Sequence, residues 1–98
     1  MPLLDFTAIA AQLPDTWKST RLGHVGPARI KVLRMAAQAY EEETHDYNEG
    51  LLVTDGLLRL SIGEEAIDVR TGQMYLVEAG VAHTVLPGSH GTLVIIDV

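Results

Sequence analysis

Cysteine is absent from the 98-residue chain, which excludes disulfide staples, CxxC redox chemistry and thiolate metal ligands. Aromatic residues are scarce, one Trp, one Phe and three Tyr, so a core has to be filled by Val, Ile, Leu, Ala and Met. Basic residues are few: seven Lys and Arg stand against 13 Asp and Glu, a formal net charge of −6. Binding to a nucleic-acid backbone needs clustered cations, so nucleic acid is not an expected partner. Arg29, Lys31 and Arg34 form the one local basic group and read as a solvated face. No apolar run approaches the roughly 18 residues of a membrane span. The N-terminal stretch MPLLDFTAIAAQL lacks a basic lead and carries Asp5, a poor secretory signal. No membrane partner is expected, and the expected location is the cytoplasm.

Catalytic signatures are missing as well. There is no GxGxxG or Walker loop for a nucleotide, no HExxH, and no GxSxG elbow around Ser19, Ser61 or Ser89. Any chemistry has to come from histidines and carboxylates.

What is present is a chain of one-domain length, 1–98, in which hydrophobic residues make up 47%. Phe6, Ile9, Ala10 and Leu13 lie at helical spacing, with Asp5 or Thr7 as cap and Pro14 as stop, which predicts one short helix over 5–13. Trp17 is expected to cover one end of the core. Gly23-His24-Val25-Gly26-Pro27 reads as a loop. Residues 1–28 are thus a helix and lead-in. From Arg29 to Val98 the texture is short strands separated by turns: Ile30 and Val32 alternate with Arg29 and Lys31, and Leu51-Leu52-Val53 runs into Asp55-Gly56, a hairpin signal. Strands at this spacing with no helix between them predict an all-β fold, an antiparallel sandwich or barrel. The apolar final strand, Leu93 to Ile96, is expected to form an edge that needs cover, hence a homodimer.

The stretch EEETHDYNEGLLVTDG, residues 41–56, places four glutamates, two aspartates and a histidine against a Leu-Leu-Val run. One reading is a solvated charged loop. The other is a metal site. On a regular strand Glu43 and His45 face the same way, Asp46-Tyr47-Asn48 is turn-prone, and Glu49 can fold back toward them. His83 offers a fourth group. Two imidazoles and two carboxylates suit a divalent first-row ion: iron, manganese, zinc or nickel.

At these residues the sequence resembles the cupin superfamily of small jelly-roll barrels. The family's first motif, G-x5-H-x-H-x3,4-E-x6-G, is met from its second histidine onward by His45, Glu49 and Gly56. Its second, G-x5-P-x-G-x2-H-x3-N, is met by Gly72, Gly80 and His83. The resemblance spans 37–87 and implies a jelly-roll β-barrel of antiparallel strands preceded by the short helix. Ala37, Glu78 and Pro87 depart from it at turns. Glu43 departs where the first histidine ligand stands, so the ligand set the resemblance implies is Glu43, His45, Glu49 and His83. Glu43 also fits a surface acidic face with Glu41 and Glu42.

Among the other residues, Glu78 is a candidate hydrogen-bond partner for the His83 ring. Tyr40 and Tyr47 read as packing, Met35 and Met74 as barrel filling, and His24 and His90 as solvated. The resemblance implies a metal-dependent enzyme on a small polar substrate, of dioxygenase, isomerase or lyase type, with Glu49 or Glu43 as general base. The alternative is a non-catalytic module that binds a small molecule or a metal.

Overall fold

A computed structural model describes residues 3–38 and 40–98, with the side chains of residues 40 and 41 outside the description. Helix α1, Phe6–Ala11, is capped by Asp5, whose Oδ1 accepts the Ala8 N–H at 3.1 Å. It is shorter than the sequence predicts because the chain tightens after Ala11, where the Leu13 N–H donates to the Ala10 carbonyl.

Eight strands follow: β1 Thr20–Val25, β2 Ala28–Met35, β3 Tyr40–Glu43, β4 Glu49–Ile62, β5 Glu65–Arg70, β6 Met74–Val77, β7 His83–Val85 and β8 His90–Asp97. All pair antiparallel in one curled sheet of order β1-β2-β8-β4-β7-β3, with β5 and β6 also paired to β4. The all-β expectation with one short N-terminal helix holds. Among the described residues, no helix is long and apolar enough to cross a membrane.

Three local expectations are corrected. The glycine-rich stretch 23–27 is mostly strand, because β2 pairs with it as far as Val25↔Ala28 and leaves only Gly26-Pro27 to turn. Asp55-Gly56 is no hairpin: β4 runs straight on, since β8 pairs alongside with Gly56 opposite Gly91. Both glycines have positive φ, +94° and +98°, at a bulge, and a Cβ on Gly56 would collide with the His90 carbonyl. Strand β8 lies between β2 and β4, so it is no edge, and the dimer loses the reason the sequence offered for it.

Both faces of β2 and β8 are buried. Leu33, Met35 and Leu93 face the barrel interior with Leu51, Val53, Leu58 and Leu60. Val32 and Val94 face outward under Ala10, Phe6 and Ile9 of α1. The alternation in β2 is therefore the reverse of a half-buried strand's: Ile30 and Val32 pack outward under α1, and Lys31 lies on the inward side with Leu33 and Met35. Trp17, at φ +59°, is anchored by its backbone N–H on the Arg34 carbonyl and its indole N–H on the Ala36 carbonyl, and packs against the interior cluster, as expected.

Candidate metal centre

Strand β3 ends at Glu43, which pairs with His83 at the start of β7. His45 therefore lies beyond the strand, and its approach to Glu43 comes from the following turn, a correction to simple strand parity. Two hydrogen bonds bring that turn to the other half of the site. The Gly80 N–H donates to the His45 carbonyl at 2.7 Å, and the Ala79 N–H donates to Asn48 Oδ1 at 2.9 Å. Gly80, at φ +82°, permits the tight turn. Glu49 then opens β4 on its inward side, in line with Leu51 and Val53.

The four side chains meet. His45 Nε2 lies 3.5 Å from Glu43 Oε2 and 3.7 Å from Glu49 Oε2; His83 Nε2 lies 3.4 Å from Glu49 Oε1 and 3.9 Å from Glu43 Oε2. One ligand atom from each lies within 4.8 Å of the others, a cluster able to hold a metal ion. These separations are long for hydrogen bonds. They match donors around one ion: bonds of 2.0–2.2 Å set tetrahedrally put neighbouring donors about 3.4 Å apart. His45 Nε2 is buried and has no hydrogen-bond partner among the described residues. The His83 ring, 5% exposed, has Nδ1 3.2 Å from the Val81 carbonyl. A carbonyl only accepts, so Nδ1 is the donor, which leaves Nε2 facing the cluster as the nitrogen able to bind an ion. The Val81 carbonyl thus fills the role that the sequence offered to Glu78. The residues present fit a divalent first-row ion.

Glu43 is the rim member, its side chain 43% exposed, yet Oε2 points at both imidazoles rather than away with Glu42. Glu49 is the buried one, 9% exposed. Burial pushes its carboxyl above the usual carboxylate value and the Glu43 and Asp97 charges add to this, while His45 and His83 oppose it.

Beside the cluster is a cavity of about 170 Å³ walled by leucines, with Trp17 and Val85 also in the wall. Tyr47 lines it too: its ring stacks on His45 at 4.9 Å and 12°, so it is a site residue and not the packing residue expected. Burial and the nearby Asp97 and Glu49 raise its phenol pKa, which keeps the hydroxyl protonated. Met74 is exposed on β6 and fills no barrel, whereas Met35 is core. His24 and His90 are exposed and away from the cavity, as expected. The side chain of Tyr40 lies outside the described residues.

Lys31, expected on a solvated face, and Asp97, given no role by the sequence, both line the cavity. Asp97, with a side chain 1% exposed, holds Arg29 Nε at 3.0 Å and Lys31 Nζ at 2.6 Å. Arg29 and Lys31 are therefore no solvated face, and Arg34 bonds the Leu13 carbonyl at 3.0 Å. The available signal was parity: Lys31 alternates in step with Leu33 and Met35, and Asp97 with Leu93 and Ile95.

A family model described as a cupin domain matches residues 32–98. No curated protein matches the chain. Among solved structures, a cupin-2 domain protein of Shewanella frigidimarina superposes with a TM-score of 0.88 at 19% identity, covering 97% of this chain and 93% of its own. A Neisseria meningitidis protein gives 0.84 at 18%, covering 98% of both chains. A Thermus thermophilus protein gives 0.78 at 18%, covering 99% of this chain and 96% of its own. At these identities the likeness is one of fold.

Proposed function

The chain belongs to the cupin domain family, and from that premise we propose that His45, His83, Glu49 and Glu43 hold one divalent ion of iron, manganese, zinc or nickel beside a small-molecule cavity. The observation that carries the reading is His45 Nε2, buried without a hydrogen-bond partner among the described residues and facing two carboxylates. An unpaired buried polar atom costs about 1–3 kcal/mol, and a bond to a metal removes that cost.

When bound, the ion supplies positive charge that polarises a ligand's oxygen atoms, or exchanges electrons with the ligand. The chain's own groups do the rest. The Val81 carbonyl fixes the His83 tautomer, and the leucine wall keeps water from the reacting end. A carboxylate that a ligand displaces from the ion would serve as general base. Glu43, at the rim, is the better placed to pass a proton to solvent. The function is then metal-dependent chemistry on a small molecule, of dioxygenase, isomerase or lyase type.

Glu43, standing where the family pattern has histidine, favours a second reading. Two carboxylates cancel the charge of a divalent ion and weaken its pull on a ligand, which suits a module that binds without turnover.

Calorimetric titration of tag-free, metal-stripped protein with Mn²⁺, Zn²⁺ and Ni²⁺ tests the site. One ion per chain is expected, with affinity lower by at least about tenfold in His45→Ala and in His83→Ala. Binding that neither substitution weakens would sink the proposal. Turnover of diols, keto acids or catechols by the loaded protein separates the catalytic reading from the binding one.

A further inference from the structure

Resting on the metal site proposed above, we infer that Tyr47 is a positioning residue: its ring, stacked on the His45 imidazole, keeps Nε2 aimed into the cluster and tightens ion binding.

His45 is the candidate ligand that the sheet holds least. Glu43 closes β3, Glu49 opens β4 and His83 opens β7, whereas His45 stands on the turn between β3 and β4. The His83 ring is also fixed through Nδ1, 3.2 Å from the Val81 carbonyl. Among the described residues the His45 ring makes no such bond, and its Nε2 is buried without a partner. The Gly80 N–H on the His45 carbonyl secures the backbone there, but a backbone bond does not set the side-chain torsions.

The ring is held by a stack instead. Tyr47, two residues on, lies against it with centroids 4.9 Å apart and planes 12° from parallel, a favoured arrangement of aromatic pairs. His83 meets the same imidazole at 5.6 Å with a tilt of 55°. Rotating the imidazole out of its plane would break the Tyr47 stack. The stack therefore keeps the plane in which Nε2 lies 3.5 Å from Glu43 Oε2 and 3.7 Å from Glu49 Oε2. The Tyr47 hydroxyl makes no hydrogen bond among the described residues, so the ring is the part that the geometry employs.

Holding the ring in that plane favours binding, because a ligand already in place loses less freedom when the ion arrives. Electronics adds to this. The face of a phenol ring is negative, and an imidazole bonded to a divalent ion is electron-poor. The stack is thus stronger with the ion than without it, and that difference enters the affinity.

Calorimetric titration of metal-stripped, tag-free full chain with Zn²⁺ tests this. Tyr47→Phe keeps the ring and should bind within about twofold of the unchanged chain, whereas Tyr47→Leu should bind roughly threefold to tenfold more weakly. The loss should pass through His45: in a His45→Ala background Tyr47→Leu should cause no further loss, a coupling that a general effect on the fold does not produce. Where Tyr47→Leu fails to fold, the ultraviolet difference spectrum induced by Zn²⁺ decides the matter on folded protein. Its tyrosine part should be present in the unchanged chain and absent from Tyr47→Phe carrying the same ion. The inference is overturned, and the metal site left standing, by a Tyr47→Leu affinity equal to that of the unchanged chain, by a loss as large in Tyr47→Phe, or by the same loss in both backgrounds. A tyrosine signal that is missing from the unchanged chain, or that survives in Tyr47→Phe, does the same. An unchanged chain that takes up no Zn²⁺ overturns both.

Discussion

Glu49 is buried among groups that favour its charge and groups that oppose it. Its carboxyl titrates above the ordinary value of 4.5 because burial, then Asp97 and Glu43 nearby, disfavour the anion more than the two imidazoles favour it. The folded metal-free chain therefore holds this proton more tightly than the unfolded chain does. Its contribution to stability is fully present below 4.5 and is lost as pH rises through the higher folded value, with a slope of at most about 1.4 kcal/mol per pH unit. Glu49→Gln should remove that slope. Denaturation of metal-free protein followed from pH 4 to 8 should show the variant gaining on the unchanged chain as pH rises; parallel curves would contradict this. His45, His83 and Glu49 were legible in the sequence because a motif is a spacing, and spacing survives without knowledge of packing. Lys31 and Asp97 were not, since a charge on an inward face looks in the sequence like a charge on an outward one.

Strand β4 is the element on which the site depends. Its first residue is a candidate ligand, its early part pairs with β6 and β8, and its later part pairs with β5 and β7. The strand changes partners where Gly56 faces Gly91, and the two positive-φ glycines let the backbones come closer than side chains allow. Asp-Gly reads as a hairpin when only local turn chemistry is considered. A partner strand some 35 residues downstream overrides it, and no local pattern reports that partner. Gly56→Ala meets backbone rather than a movable side chain, so a loss of about 2 kcal/mol or more is expected by urea denaturation. Gly63→Ala, in an open turn, should cost less despite its positive φ. Equal losses at the two positions would count against the close approach.

Across the whole molecule, α1 covers the outer face of β2 and β8, and the curl of the sheet encloses a second apolar cluster in which the cavity lies. That cavity gathers residues from both ends of the chain, from Trp17 and Lys31 to Asp97, around the segment that the motifs cover. The net charge of −6 draws divalent cations toward the molecule, and the cluster gives them a place of defined donors. The measurement that bears most directly on the account is anomalous X-ray diffraction from crystals of tag-free protein, collected on both sides of the absorption edge of the ion it carries. One peak bonded to His45 Nε2, His83 Nε2 and a Glu49 oxygen at about 2.0–2.2 Å is the expected result. A map with no peak there after soaking in Zn²⁺, and with His45 Nε2 bonded to ordered water instead, would contradict it.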